Sequence, residues 1–409
     1  MTVELGIEKL RVYPSSLSLD LHSLCAARGM DADRTTSDLM IHERSLNPPW
    51  EDAVTMGVNA AEPMLTKEDR ESIGLLLVGT ESSVDQEKAV STWIHDFLRL
   101  PSDCLNLEIK LACYASTGAL QLALAWLESS MSRGRKALLI STDQTTMHIG
   151  KPWEPVGGSG AAAVLLSQQP KVIAYEPGRV GVHAEEVSDV IRPTMRVETG
   201  NSETSLFSYL IGVEGAYGNY VKVAGEVPFP DHFKRIIYHV PFGEITFRAH
   251  KTLLREFSNV PGKQARRSFA EKTEPSLVYN KRMGATYGAS TFIALVGLLE
   301  KDTEVQSGDR LGLFAYGSGS CAQFYSAIVK PEAHEVALAA SLGQQIEARR
   351  PVTVEEYERI ERTRNDSIAV PEFVPDLTLL GDLYERVYAG QRRLVLRQVS
   401  EYYRTYSWS

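Results

Sequence analysis

Short uninterrupted apolar runs alternate along the chain with segments whose apolar residues recur at helical spacing. IGLLLVG at residues 73–79 reads as a buried strand. In residues 85–98, Val90, Trp93, Ile94 and Phe97 fall on one helical face with charges between them. Residues 104–111 alternate as a strand, and residues 118–131 read as an apolar helix ended by Arg133-Gly134-Arg135. KALLIS at 136–141 and AAAVLLS at 161–167 are further strands. The style returns later: a strand at 235–240 running into His239, a helix at 290–301 (STFIALVGLLEK) and a strand at 310–316 (RLGLFAY). The charge-dense residues 356–365 predict a surface helix, and the amphipathic residues 382–409 predict a C-terminal helix. Strands alternating with helices in this way predict an α/β fold.

Two segments echo each other. Gly158-Ser159-Gly160 precedes AAAVLL, and Gly317-Ser318-Gly319 precedes SCAQFYSAIV. Glycines there let backbone approach a site or a neighbouring strand closely. The echo fits a fold of two similar halves, each burying a central helix between sheets.

Composition narrows the function. Lys and Arg number 43 and Asp and Glu 52, a formal charge of −9, which argues against a nucleic-acid binder. Four widely spaced cysteines (Cys25, Cys104, Cys113, Cys321) form no CxxC pair, which argues against structural zinc and for a reducing, cytoplasmic setting. Glu4 and Glu8 interrupt the N-terminus, so no signal peptide is read there. The uncharged runs at 111–127 and 311–329 are too polar and glycine-broken for membrane spans.

Three residues stand where chemistry is expected. Cys113 lies at a strand end just before an apolar helix, where unpaired N–H groups would lower its pKa; the alternative is a buried core cysteine. Glu81 directly follows IGLLLVGT, at the strand end where α/β folds place functional groups; the alternative is a helix-capping acid. His239 ends a strand stopped by Pro241, placed to polarise a carbonyl or move a proton; the alternative is a structural histidine. A thiol nucleophile, a carboxylate base and a histidine acid together suit acyl transfer followed by carbon–carbon bond formation.

GTESSVDQEKA, LACYASTGALQLA, YHVPFGEITFRAHKTLLR and LGLFAYGSG resemble the motifs of 3-hydroxy-3-methylglutaryl-CoA synthases, as do NPPWEDAVTMGVNAA, LLISTDQ and GGSGAAAVLL. The resemblance runs in order from about Gly6 to the last residue. It implies a thiolase-like fold, five-layered αβαβα from two duplicated halves, here residues 1–170 with Glu81 and Cys113 and residues 171–409 with His239. It also implies a homodimer and puts the catalytic glutamate, cysteine and histidine at Glu81, Cys113 and His239. SDLMIHERSL, RAHKTLLR and the ending YYRTYSWS are most similar to the synthase-like enzymes of polyketide β-branching, which act on acyl carrier proteins. That branch implies acetyl transfer from a donor acetyl-carrier protein to Cys113, then condensation with a β-ketoacyl chain on an acceptor carrier. The substrates ride on phosphopantetheine, and no metal, other cofactor, nucleic acid or membrane is implied.

Against the CoA-using relatives, Glu244 stands where they carry a lysine that helps hold the CoA phosphates. From Arg248 to Arg267 there are six basic residues and one acid, so Arg248, Lys251, Arg255, Arg266 and Arg267 are candidates for docking an acidic carrier. Tyr209, Gly158, Gly317, Ser318 and Thr286 are candidate substrate-binding residues, with Gly317 or Ser318 offering an oxyanion-hole N–H. Asp143 is a candidate for orienting the site. Ala285 departs from the asparagine usual in the family. The nearest alternative is a CoA-dependent synthase of isoprenoid precursor metabolism. A decarboxylating ketosynthase would need a second histidine or an asparagine where this chain has a glutamate. A non-catalytic carrier-binding scaffold would not need all three reactive residues.

Overall fold

The computed structural model describes residues 4–225 and 227–409. Its main sheet has nine strands: β1 (Gly6–Tyr13), β2 (Ile73–Gly79), β3 (Leu105–Ile109), β4 (Lys136–Gln144), β5 (Ser159–Ser167), β6 (Ile173–Ala184), β7 (Arg235–Tyr238), β8 (Arg310–Gly317) and β9 (Cys321–Val329). Their order is β7-β8-β9-β6-β1-β5-β4-β2-β3. In one arm β2 is parallel to β4, β4 antiparallel to β5, and β5 antiparallel to β1. The other arm repeats this, with β7 parallel to β8, β8 antiparallel to β9, and β9 antiparallel to β6. The arms join where Gly6 and Ile7 pair with Ala174 and Ile173. The first arm adds β3, parallel to β2, at its free edge.

Strand alternation sorts the side chains into layers, because successive residues of a strand face opposite sides. In β2, Leu75 and Leu77 face a central core shared with Leu311 and Leu313 of β8. That core is filled by α3 (Ala115–Glu128) and by the helix Ala289–Lys301. On the opposite face, Leu76 and Val78 pack under α1 (Ala53–Ala61) and α2 (Val90–Phe97). Phe314 and Tyr316 likewise pack under α4 (Ser202–Ala224) and α5 (Gly243–Phe257). With α6 (Ala289–Lys301) beside α3 in the middle, helices and sheet arms stack in the five αβαβα layers of a thiolase-like fold.

Three elements differ from the sequence expectation. The helix expected over 85–98 starts only at Val90, because the Asp85 carboxylate accepts the N–H groups of Glu87 and Lys88 (2.8 and 2.7 Å) and holds a turn. The helix expected over 118–131 starts earlier, at Ala115, after a single 3₁₀ turn at Ala112–Tyr114. The expected C-terminal helix is a one-turn helix, Leu383–Val387, followed by the hairpin β10 (Leu394–Ser400) and β11 (Tyr403–Trp408). Glu401 and Tyr402 both take positive φ (48° and 69°), as a two-residue hairpin turn requires. The hairpin's Leu394, Leu396, Val399 and Tyr406 complete the outer core beneath α1 and α2. The charge-dense segment forms α7 (Val354–Asp366), which buries Tyr357, Ile360 and Glu361.

Candidate active site

The chain leaves β2 at Gly79 and turns outward through Thr80-Glu81-Ser82. Asp143, near the end of the neighbouring β4, fixes that turn. Its Oδ1 accepts the Glu81 N–H (2.8 Å), the Ser82 hydroxyl (2.9 Å) and the Thr80 hydroxyl (3.2 Å). The Glu81 Oε1 is buried without a hydrogen-bond partner. Burial pushes the Glu81 carboxyl above its ordinary range, against the pull of Lys110 and Arg192. Burial also raises Asp143, to about 8.

Cys113 sits in the 3₁₀ turn between β3 and α3. The end of β8 is pressed against that turn: a Cβ on Gly317 would lie 2.6 Å from the Leu111 carbonyl oxygen and 2.7 Å from the Tyr114 nitrogen. Gly317 therefore lies against the cysteine loop, with Ser318 next in the chain, and a larger residue at 317 does not fit. The expected depression of the Cys113 pKa is corrected: its thiol is pushed well above the ordinary range. Burial is the main cause, and Asp143, Glu81 and Glu198 add negative charge nearby. The helix proper begins two residues later, so its dipole does not overcome this.

His239 follows β7, as Glu81 follows β2. Its Nδ1 lies 2.8 Å from the Ser290 hydroxyl, which also accepts the Val240 N–H (3.1 Å). When the serine donates its proton to Nδ1, the ring proton sits on Nε2. Nε2 is buried and has no hydrogen-bond partner. Burial lowers the His239 pKa to about 3, so the ring is neutral. Tyr209 ties the histidine to the cysteine: its hydroxyl donates to the His239 carbonyl (2.6 Å), and it lies within electrostatic reach of the Cys113 thiol. That hydroxyl is thus engaged by the backbone. Gly158 is a close-approach position, where a Cβ would lie 2.5 Å from the Met283 carbonyl oxygen and 2.9 Å from the Ala285 nitrogen. The Thr286 hydroxyl is buried and unpartnered. Asn280 supplies a buried amide nearby, donating to the Ser290 carbonyl (3.0 Å).

Sequence reading missed a charged cluster beside the thiol. Arg192 donates to the Glu81 carbonyl (2.5 Å), to the Glu198 carboxylate (2.5 Å) and to the Tyr287 hydroxyl (2.6 Å). His148 Nε2 lies 3.2 Å from Glu198. Burial would raise Glu198, but His148 and Arg192 hold it down at about 2. The paired strands Val190–Thr194 and Val197–Gly200 carry Arg192 and Glu198 to the site. One faint signal was present: an arginine and a glutamate six residues apart in a short polar–apolar stretch.

The hydroxymethylglutaryl-coenzyme A synthase N-terminal family matches residues 1–171, and the C-terminal family of the same name matches residues 247–407. The chain belongs to the hydroxymethylglutaryl-coenzyme A synthase family. It is 33% identical to the polyketide biosynthesis 3-hydroxy-3-methylglutaryl-ACP synthase PksG of Bacillus subtilis (strain 168), covering 99% of both chains. The curacin biosynthetic pathway HMG synthase, solved in complex with holo donor-ACP, superposes with a TM-score of 0.95 at 32% identity, covering 99% of this chain and 100% of that one. A hydroxymethylglutaryl-CoA synthase of Enterococcus faecalis is 31% identical over 79% of this chain and 82% of its own. The chain is accordingly a condensing acyltransferase of this synthase family, which forms carbon–carbon bonds.

On this family frame the basic segment lies along α5 and the helix Ala265–Lys272, with Arg248, Lys251, Arg255, Arg266 and Arg267 exposed. They are not equally free. Arg266 makes a two-pronged ion pair with Glu244 (3.1 and 3.0 Å) and stacks on Phe247. Arg255 pairs with Glu256 (2.5 Å). Among the described residues, Arg248, Lys251 and Arg267 make no ion pair.

Proposed function

We propose that this protein condenses a donor acetyl group with the β-ketone of an acyl chain held on an acceptor carrier protein. The observation that carries the proposal is a thiol beside a buried carboxylate, with Tyr209 linking a neutral histidine to the surroundings of the same thiol. The full-length likeness to two synthases of polyketide pathways supports carrier-borne substrates. Glu244 supports them too, since it places an acid, paired to Arg266, at the start of α5.

The Cys113 thiol attacks the acetyl thioester, and its proton leaves on the departing pantetheine sulfur. The oxyanion is met by the Cys113 N–H and the N–H of Gly317 or Ser318. Glu81 takes a proton from the acetyl methyl, and the enolate carbon bonds to the acceptor's ketone carbon. The Nε2–H of His239 polarises that ketone and helps protonate the new alkoxide, and the proton that Glu81 took from the methyl is returned through this hydrogen bond, leaving the carboxylate and the neutral imidazole as they began. Water then cleaves the Cys113 thioester, regenerating the thiol and leaving a β-hydroxy-β-carboxymethyl acyl chain on its carrier. Arg248, Lys251 and Arg267 dock the carriers, with Arg255 and Arg266 at the margin. Thr286 adds a free hydroxyl near the chain. No metal takes part in this scheme.

The halves divide at residues 170/171, and the active form is a homodimer. The β3 edge supports dimerisation, since Leu105 and Leu107 stand 53% and 48% exposed on the outermost strand, whose outer edge has no partner strand among the described residues. Intact-protein mass after brief exposure to acetyl-carrier protein or acetyl-CoA tests the reading, with Cys113→Ala as control. Carrier-specific acetylation lost in the variant is expected. Equal or faster labelling from acetyl-CoA would instead favour the CoA-dependent synthase.

A further inference from the structure

A cavity of about 290 Å³ opens beside Glu81, near the lower end of the volumes that hold small organic ligands. Glu81 and Arg192 form part of its wall, and both act electrostatically on the Cys113 thiol. The cavity therefore adjoins the reacting centre. The rest of its wall comes from the segment Pro49 to Asp52, the loop after β2, Glu108 and Lys110 at the end of β3, the loop after β4, the tip of the Arg192 ribbon, α7 and the residues after it, and the C-terminal hairpin. No residue of α5 or of the basic helix Ala265–Lys272 lines it, so the candidate carrier-docking residues are not part of its wall.

An acceptor chain enters by its carrier-bound end, presents its ketone to Cys113 and His239, and must put its remaining carbons somewhere. We propose that this cavity receives the acceptor's acyl chain beyond the β-ketone. The inference rests on the condensing function proposed above. The lining favours a chain bearing hydroxyl or amide groups. Ser83, Thr145 and Thr146 place polar atoms there beside Asp85, Glu108 and Lys110, and Arg364 is paired with Glu361. An apolar chain would leave such groups unpaired, which is how a polar-lined site discriminates.

The test uses the full protein, acetylated beforehand on Cys113, with acceptors supplied as pantetheine thioesters. These are acetoacetyl, β-ketodecanoyl, and β-ketodecanoyl with a hydroxyl near its far end. Gln86→Trp and Asn365→Trp narrow the cavity from two sides, and neither side chain makes a hydrogen bond among the described residues. Each variant is expected to lower kcat/KM for the hydroxylated long acceptor about tenfold while leaving acetoacetyl within about twofold. The unmodified enzyme is expected to prefer the hydroxylated long chain over the plain one. Equal losses on short and long acceptors, or none on the long ones, would overturn the inference. Failure of the unmodified acetyl-enzyme to condense even acetoacetyl would overturn the proposed function instead.

Discussion

At the end of β2 the chain enters a charged pocket; at the equivalent end of β7 it enters an aromatic one. Around Glu81 stand Asp143, Arg192 and Lys110, with Glu198 close behind. Around His239 stand Tyr209 and Ser290, and burial alone accounts for its lowered pKa. The backbone pattern repeats between the arms, but the side chains diverge. One arm keeps a carboxylate able to lose and regain a proton. The other keeps an imidazole neutral, so that it donates a hydrogen bond. The strand pairing repeats between the arms, and in the proposed function the difference in polarity between the two strand ends would divide the labour of base and acid.

The largest test removes one side of this division. Glu81→Ala is expected to leave acetylation of Cys113 intact and to lower condensation about 10²–10⁴-fold. Acetyl-enzyme should then accumulate by intact mass, and a variant that still condenses normally would take the base role away from Glu81. Removing the other side, His239→Ala, should lower condensation about 10²–10³-fold, as loss of a transition-state donor does. The pH profile sharpens the contrast. A histidine held near 3 is charged only below that value, so no activity limb should appear near the ordinary imidazole value of 6.5. Such a limb, abolished by His239→Ala, would show that the aromatic pocket does not keep the ring neutral.

Smaller effects probe how each pocket is held. Ser290→Ala removes the hydrogen bond to Nδ1 and leaves the Val240 N–H unpaired. The expected cost is about 1–3 kcal/mol of stability by denaturant titration. Condensation should fall about tenfold with acetylation little changed, since freeing Nδ1 lets the ring proton shift tautomer. Nitrogen chemical shifts of His239 would report that shift, and their constancy would remove the serine's orienting role. In the charged pocket the sign is reversed. Glu81→Gln removes a negative charge that helps hold Cys113 high, so alkylation of the thiol at neutral pH should become about threefold to tenfold faster although catalysis is lost. Unchanged or slower alkylation would mean that Glu81 does not bear on the thiol in this way.

The same contrast explains what the sequence made legible. The reactive residues follow long apolar runs, and a run such as Ile73–Gly79 has no use except as a buried strand, so Glu81 and His239 could be placed at strand ends. Motif resemblance then brought them together with Cys113. Arg192 and Glu198 were not legible because their role is tertiary: Arg192 meets the Glu81 carbonyl across 111 residues. The thiol's pKa was misjudged for a related reason. The local pattern announces a helix start, whereas the burial that outweighs it, and the carboxylates that add to it, come from distant segments. Residues 382–409 were misread because an amphipathic stretch suits either period, and the positive φ of Glu401 and Tyr402 decided for a hairpin.

The smallest expected effect lies outside both pockets, on the basic face of α5. Charge counting treated the five basic residues of α5 and the helix Ala265–Lys272 alike, but Arg266 is neutralised by Glu244 and Arg255 by Glu256, whereas among the described residues Arg248 and Lys251 make no ion pair. If carriers dock by charge, Arg248→Glu and Lys251→Glu should each weaken acetylation from acetyl-carrier protein by about twofold to fivefold, the range of single exposed ion pairs of about 0.2–1 kcal/mol. The loss should appear in KM, shrink as salt rises, and be absent with acetyl-pantetheine, which has no acidic surface to steer. Arg266→Glu disrupts an internal pair as well, so it should cost stability and lower acetylation from both donors. Equal effects of all three variants on both donors would mean that this face supports the fold of α5 rather than receiving a carrier.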